Sequence, residues 1–222
     1  MLMVWDPIWD KMFKERATWG KYPPEELVRF ISGYYSVQNR SSIKILEIGC
    51  GPGAGPSWFI AREGFSLYGM DGSATAIEKA KKRFHDEGLK GEFVEGQLNK
   101  IPWPGAFFDC VVDIACLQHN AEDDTRTILR EVHRVLKPGG RHFSLTTKAR
   151  CWGDGTGTRV DETSYRNVKE GPFSNMGVTR FATRESLVSL YSGFQELELN
   201  YSVRSVDNGS REISNWIITC NK

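Results

Sequence analysis

The sequence predicts an α/β protein in which helices cover both faces of a parallel sheet. From residue 42 onward, short apolar runs that indicate buried strands alternate with segments that indicate helices. The first strand ends in a glycine cluster, and a Lys-Pro-Gly-Gly run at 137–140 separates a helix from the fifth strand. This alternation is typical of a single layered domain, and 222 residues are enough for one sizeable core.

Each element follows from a local signal. Pro23 and Pro24 mark the start of the second of two N-terminal helices, and Ser73 is a good cap for the helix after the second strand. The predicted helices cover 6–18, 24–36, 57–63, 74–87, 123–136 and 183–192. The predicted strands cover 43–48, 66–70, 92–95, 110–114, 141–146, 195–203 and 212–220. Residues 148–180 interrupt the alternation with glycines and turn-forming residues.

Composition and charge narrow the classes of partner. The 29 basic and 28 acidic residues give a net charge of +1, which disfavours nucleic acid because polyphosphate-binding proteins carry a basic excess. Five scattered cysteines form no CxxC pair, so we expect reduced thiols and no metal site. No apolar run approaches the ~20 residues of a membrane span, and no secretion signal is visible. We therefore expect a soluble, cytoplasmic protein with no membrane segment. Its oligomeric state stays open.

The most informative motif is the run Glu-Ile-Gly-Cys-Gly-Pro-Gly at 47–53, between the first strand and the next helix. Its glycines allow a tight turn and a close approach of a ligand to the backbone. With Ala54 the run satisfies the GxGxxG/A dinucleotide pattern, and Asp71, about twenty residues further on, stands where a ribose would be held. The loop alone leaves two cofactors open, NAD and S-adenosylmethionine (SAM).

Three further features separate these cofactors. Glu47 lies two residues before the first glycine, where its carboxylate would oppose a pyrophosphate but favour the ammonium and sulfonium groups of SAM. The other two features are the pair of runs at 93–98 and 107–113, and the run at 136–140. In their order and spacing, these motifs resemble those of class I SAM-dependent methyltransferases, in the small-molecule branch related to the ubiquinone and sugar methyltransferases. The resemblance extends from Ile43 to Leu145.

The resemblance implies a fold, a cofactor and a set of residues. The fold is a Rossmann-like, doubly wound seven-stranded sheet with an antiparallel last strand and helices on both faces. The glycines would hold the amino-acid end of SAM, Glu47 would orient that end, and Asp71 would bind both ribose hydroxyls. The implied cofactor-binding residues are Glu47, Gly49, Gly51, Gly53, Asp71, Gly72, Gln97, Leu98 and Ile114. Gln97 stands where the family more often has an aspartate beside the adenine.

The methyl acceptor is expected beside the segment after the fourth strand. His119 is the best-placed candidate for a general base because imidazole titrates near neutral pH; the alternative is a polar residue that lines the cleft or caps the next helix. Aromatic side chains of the N-terminal segment and of 148–181 would exclude water, and an arginine could hold an acidic group of the substrate. The candidate substrate-binding residues are Trp19, Tyr22, Tyr165 and Arg180.

The sequence thus predicts one methyltransferase domain with four parts: a helical cap (1–40), a SAM-binding core (41–147), a lid-like insertion (148–182) and a closing helix with strands (183–222). The predicted activity is SAM-dependent methyl transfer to an oxygen or nitrogen of a small molecule. Two other functions stay open. One is an NAD-dependent oxidoreductase, which would need a hydride-transfer constellation that is not identifiable here. The other is a SAM-binding regulatory protein without catalysis.

Overall fold

The computed structural model describes residues 5–16, 19–36 and 39–222. The α-helices in these residues are α1 (Ile8–Glu15), α2 (Glu25–Tyr34), α3 (Pro56–Arg62), α4 (Ala74–Asp86), α5 (Glu122–Val135) and α6 (Arg184–Leu190). The strands are β1 (Lys44–Ile48), β2 (Ser66–Asp71), β3 (Glu92–Glu95), β4 (Phe108–Ile114), β5 (Leu136–Thr147), β6 (Thr158–Arg159), β7 (Ser164–Arg166), β8 (Val178–Arg180), β9 (Gln195–Val206) and β10 (Arg211–Asn221). In this described part of the chain, every helix is too short or too polar to cross a bilayer.

Seven strands form one sheet in the order β3-β2-β1-β4-β5-β10-β9. The strands β2, β1, β4 and β5 pair in parallel, and β3 pairs in parallel with β2. The last strand, β10, runs antiparallel to both of its neighbours, β5 and β9. The prediction of a Rossmann-like, doubly wound sheet with an antiparallel last strand is therefore confirmed.

Two apolar layers cover the two faces of this sheet. On one face, Leu46 and Ile48 of β1 belong to the same apolar cluster as side chains of α5 and α6. On the other face, Ile45 belongs to a cluster with side chains of α2, α3 and α4. Side chains alternate between the faces along a strand, so β1 is buried on both sides. This double burial explains why the central strands appear in the sequence as continuous apolar runs.

The helix boundaries follow the predicted capping signals closely. The hydroxyl of Ser73 accepts the backbone N–H of Ala76 at 3.1 Å and so caps α4 as expected. The first predicted helix, 6–18, is shorter in the structure and ends at Glu15, while its residues 17–18 lie outside the described part of the chain. The final helix begins one residue after its Thr183 cap.

The Lys-Pro-Gly-Gly run at 137–140 behaves differently from the prediction. It ends α5, but it lies inside β5, which begins at Leu136 instead of residue 141. The partner of β4 changes from Leu136 opposite Phe108 to Arg141 opposite Cys110, so the run forms an irregular stretch in the ladder. Gly139 has a φ of +73° there, a backbone conformation that glycine adopts without steric cost.

The insertion at 148–182 is more regular than the sequence suggested. Its strands form a small antiparallel sheet in the order β6-β7-β8. Cys151, Val168 and Phe181 form a small buried cluster beneath it. The insertion therefore has a core of its own beside the main sheet.

Candidate active site

A cavity of about 360 Å³ lies at the carboxyl ends of β1, β2 and β4. Open α/β sheets bind ligands in this place, where the strand order reverses between β1 and β4. The volume falls within the ~300–1,000 Å³ typical of small-molecule sites. The predicted site residues in the cavity wall are Trp19, Glu47, Gly49, Gly51, Asp71, Gly72, Gln97, Leu98, Ile114 and His119.

Glycines of the loop after β1 serve two different purposes. Gly49 has a φ of +67°, and a Cβ atom there would overlap the side chain of Cys116, so the loop can pass this close to the turn after β4 only with glycine. Gly53 has a φ of +64°, and its Cβ would lie 3.0 Å from that of Ala80 on α4. Gly53 does not line the cavity, and its contacts instead allow the loop to pack closely against the helix.

Asp71 holds the loop and the start of α4 together. Its Oδ2 accepts the backbone N–H of Gly51, and its Oδ1 accepts the backbone N–H of Ser73, both at 2.9 Å. The carboxylate is buried, and this burial raises its pKa despite the hydrogen bonds. Asp71 is thus a structural residue of the loop and a polar group in the cavity wall.

Glu47 is the second buried carboxylate at this end of the cavity. It accepts a hydrogen bond from the hydroxyl of Ser57. Burial raises the pKa of Glu47 well above its ordinary value, and the nearby carboxylates of Asp71 and Asp113 raise it further. A cationic ligand stabilises the charged forms of such buried acids. The ammonium and sulfonium groups of SAM therefore fit this end, and a pyrophosphate does not.

The wall continues from the glycine loop along the ends of the neighbouring strands. Gly72 follows Asp71, and a Cβ there would lie 2.7 Å from the ring of Trp5, so the N-terminal segment closes over this edge. Gln97 and Leu98 follow β3, and Ile114 ends β4. The implied cofactor-binding residues, apart from Gly53, therefore border one continuous space.

His119 lies in the turn after β4 and makes hydrogen bonds with both ring nitrogens. Its Nδ1 is 2.9 Å from the carbonyl oxygen of Val178, which can only accept, so Nδ1 carries the proton. Its Nε2 then has the lone pair and lies 3.3 Å from Nε2 of Gln118. The Gln118 amide is oriented by its Oε1, which accepts the N–H and the hydroxyl of Thr147. Burial lowers the pKa of His119 to about 4, so the ring is neutral at pH 7.

Aromatic side chains from two distant segments surround His119. The ring of Trp9 on α1 meets the imidazole edge-on with centroids 4.6 Å apart, and Phe173 of the insertion lies 6.1 Å away. Further along α1, Phe13 packs against Trp19 with centroids 4.9 Å apart. The rings of Trp9 and Phe173 make the part of the cavity around His119 largely apolar, whereas Phe13 faces Gly51 of the glycine loop.

Three of the candidate substrate-binding residues do not line the cavity. Tyr22 is 78% exposed and packs edge-on against Trp58. Tyr165 packs against Phe181 beneath the insertion. Arg180 is fully buried, and its guanidinium donates to the hydroxyl of Thr125, so it serves the interior of the protein. Trp19 is the candidate that the structure places in the cavity wall.

The sequence analysis did not identify the cavity-lining face of α1. Trp9, Met12 and Phe13 lie on one side of α1 and line the cavity together with Arg16, the residue that follows the helix. An apolar stripe at positions i, i+3 and i+4 that ends in an arginine at i+7 was the signal available in the sequence. The direction in which that stripe faces depends on how the helix docks.

The strand order with one antiparallel last strand, together with an acidic, glycine-lined cavity at its switch point, agrees with the resemblance to SAM-dependent methyltransferases. Residues 45–140 match the family model described as a methyltransferase domain. These residues are therefore similar to methyltransferase domains, and the chain shares its fold with solved SAM-dependent methyltransferases, one of which has SAM bound.

Individual relatives agree with this assignment. The fatty-acid O-methyltransferase of Mycolicibacterium smegmatis is 34% identical over 131 residues, which are 57% of this chain and 46% of that protein. The chain thus matches less than half the length of this relative. A SAM-dependent methyltransferase from Methanosarcina mazei has a TM-score of 0.71 at 24% identity, covering 92% of this chain and 99% of that chain. The Haemonchus contortus phosphoethanolamine N-methyltransferase 2 in complex with SAM has a TM-score of 0.67 at 16% identity, covering 97% and 56%. The two solved structures share the fold.

Proposed function

We propose that this chain transfers a methyl group from SAM to an oxygen or nitrogen of a small molecule in this cavity. The observation that carries the proposal is that one cavity joins two buried carboxylates behind a glycine loop to an aromatic wall around His119. When bound, SAM supplies an electrophilic methyl group on a positively charged sulfur. The residues of the chain bind this cofactor, orient the acceptor and exclude water.

The glycine-loop end is proposed as the cofactor half. The Glu47 carboxylate is the group for the cationic amino-acid end, which would pass close to the backbone of Gly49 and Gly51. Each carboxylate oxygen of Asp71 has accepting capacity beyond its one backbone hydrogen bond, so the side chain can also accept ribose hydroxyls. Gln97 and Leu98, further along the same wall, are proposed for the adenine, and Ile114 for the region beside the sulfur.

The aromatic end is proposed as the acceptor half. The rings of Trp9 and Phe173 exclude water from the methyl group and receive a compact, partly apolar molecule. The relative from Mycolicibacterium smegmatis is a fatty-acid O-methyltransferase, which supports a small acceptor with apolar character. A net charge of +1 favours such a molecule over nucleic acid. The insertion and α1 together would act as the lid over this half.

His119 is proposed as the residue that contacts the acceptor. At neutral pH it is an uncharged ring whose one lone pair, on Nε2, contacts the Gln118 amide at 3.3 Å. To take a proton from an acceptor, the ring must exchange this contact for one with the substrate. The 3.3 Å distance between the two Nε2 atoms is long for a hydrogen bond, so the contact can be exchanged. In that exchange His119 and Gln118 would act together.

A cytoplasmic location is also proposed. All five cysteines are free, as expected for a protein in a reducing compartment. Three of them, Cys50, Cys110 and Cys220, are buried in or beside the sheet, and burial raises the pKa of each thiol. These thiols are therefore unreactive packing groups, which agrees with a protein that does not depend on disulfides.

The structure argues against one of the two alternative functions and does not separate the other from an enzyme. Dinucleotide-binding sheets follow the strand order 3-2-1-4-5-6, mostly parallel, whereas this sheet places the antiparallel β10 beside β5. The buried acids Glu47 and Asp71 also oppose a pyrophosphate. A non-catalytic SAM-binding protein would share the cofactor half, so only a transfer assay separates it from an enzyme.

The first experiment tests cofactor binding by calorimetry. Asp71→Ala should weaken SAM binding by about 1–3 kcal/mol because charged-acceptor hydrogen bonds are left unmade. Asp86→Ala is the matched control. It removes an exposed acid at the end of α4 and should bind SAM like the wild type. Tight binding of NADH with no heat from SAM would contradict the proposal.

The second experiment tests transfer itself. The protein is incubated with methyl-labelled SAM and a panel of small alcohols, phenols, acids and amines, and label in the products is measured. We expect label in at least one oxygen- or nitrogen-methylated product. SAM binding without transfer to any member of a broad panel would favour the non-catalytic alternative, and robust labelling of RNA or protein alone would overturn the acceptor class.

A further inference from the structure

We propose that Arg16 binds the carboxylate at the amino-acid end of SAM. The side chain of Glu47 would bind the ammonium of the same end. The inference rests on the proposed function and assigns the one charged group of the cofactor that the residues above leave without a partner. The amino-acid end carries both an ammonium and a carboxylate. Glu47 and Asp71 suit the first group, but both acids repel the second. A cation must therefore stand at this end of the cavity.

Arg16 is the cation that the cavity wall offers. Among the described lining residues, it is the only lysine or arginine, and His119 is neutral. The other basic side chains of α1 are paired along the helix, Lys11 with Glu15 and Lys14 with Asp10. In the described part of the chain, Arg16 has no carboxylate within ion-pair distance. Its side chain is therefore available to an anionic ligand.

The position of Arg16 places it at the glycine-loop end of the cavity. Phe13, one turn earlier on the same helix face, lies so close to the loop that a Cβ at Gly51 would be 3.3 Å from its ring. Beyond Arg16, the carbonyl oxygen of Gly20 accepts the N–H of Gly55, just past the loop, at 3.1 Å. Arg16 thus lies between two points of contact with the loop that is proposed to hold the amino-acid end.

The surroundings of Arg16 limit its freedom. Its guanidinium carbon lies 5.0 Å from the ring centroid of Trp19, a cation–π arrangement that orients the planar group. The ammonium of Lys79 on α4 lies 3.2 Å from the carbonyl oxygen of Arg16, which anchors the end of α1 to the core. A planar guanidinium on a fixed backbone is suited to two parallel hydrogen bonds with a carboxylate.

The test compares two ligands that differ by this carboxylate alone. SAM and decarboxylated SAM are titrated by calorimetry into the wild type, Arg16→Gln and Arg16→Lys. We expect Arg16→Gln to weaken SAM binding roughly 10- to 100-fold, the scale of a charged hydrogen bond, and to leave decarboxylated SAM unchanged. Arg16→Lys should retain part of the SAM affinity, because it keeps the charge but not the planar fork.

Arg62→Gln is the matched control. Arg62 also lies over a tryptophan, with its guanidinium carbon 5.1 Å from the Trp58 ring centroid, but it is not in the cavity wall. Its loss should leave the affinity for both ligands unchanged. Unchanged SAM binding in Arg16→Gln, or equal weakening of both ligands, would overturn the inference while leaving the proposed function intact. If the wild type bound neither ligand, the proposed function itself would fail, and the inference with it.

Discussion

The two ends of the cavity are built in different ways. The glycine-loop end comes mainly from one stretch of chain, 47–72, and is held by backbone hydrogen bonds such as those from Gly51 and Ser73 to Asp71. The aromatic end joins three distant segments through side-chain contacts, of which Trp9, His119 and Phe173 are the centre. Backbone-held geometry suits a constant ligand, and side-chain packing can change from one protein to the next. The difference teaches that the two ends of the cavity are built separately, as the proposed division between cofactor and acceptor requires.

The most demanding point of the glycine-loop end is Gly49. Gly49→Ala should destabilise the protein by about 2–4 kcal/mol, because alanine is strained at φ +67° and its Cβ would overlap Cys116. Denaturant unfolding measures this change. Gly88→Ala is the matched control, since Gly88 has nearly the same φ of +65° but no atom within 4 Å of an added Cβ. Its cost should be only about 1–2 kcal/mol. Equal losses in the two variants would show that the loop is not as tightly packed as the structure indicates.

The aromatic end should respond to pH through His119. Its pKa is about 4 in the folded protein, below the ordinary histidine value, so the unfolded chain binds a proton first as the pH falls. The stability that His119 contributes is therefore complete above about pH 6.5 and is lost toward pH 4. When the pH is lowered from 7 to 4.5, the free energy of unfolding should fall by about 2 kcal/mol less in His119→Asn than in the wild type. Denaturant unfolding at several pH values gives this difference.

Other buried groups also titrate, and the comparison must keep them constant. His142 also has its pKa lowered to about 4 by burial, so it adds to the loss of stability at low pH. Asp113 has its pKa raised to about 6 by burial, so the folded protein binds its proton first and gains stability as the pH falls. Both groups are present in His119→Asn and in the control His85→Asn, whose ring is 90% exposed. A pH slope identical in both variants would count against the buried, neutral state of His119.

The contact between the cap and the insertion should have the smallest effect. Asp6 and Arg166 form an ion pair of 2.8 Å between these segments, and the Arg166 side chain is 51% exposed. Arg166→Gln should cost less than about 1 kcal/mol, since solvent screens such pairs. It should nevertheless speed hydrogen exchange in α1. Arg29→Gln is the control: it breaks an exposed ion pair with Glu25 within α2 and should leave hydrogen exchange in α1 unchanged. Unchanged exchange in α1 would show that aromatic packing alone holds the cap.

The glycine-loop end could be predicted from the sequence because its signals are local. Glu47, the glycines and Asp71 lie within twenty-five residues of one another and at the ends of two adjacent strands. The topology of a parallel sheet then brings those ends together without further information. Gly53 is the instructive exception within this motif: its spacing fits the pattern, yet only the packing of the loop on α4 shows that it lies behind the cavity wall.

The sequence by itself determined the helices, the strands of the main sheet and the class of fold, because periodicity and motif spacing act over short distances along the chain. The tertiary structure decided which distant side chains complete the site. Arg16 reaches the cavity because α1 docks with one particular face toward the loop, and Arg180 is buried because β8 packs into the interior. That choice depends on contacts between segments more than a hundred residues apart, such as Trp9 with His119 and Asp6 with Arg166, and no local pattern specifies these pairs.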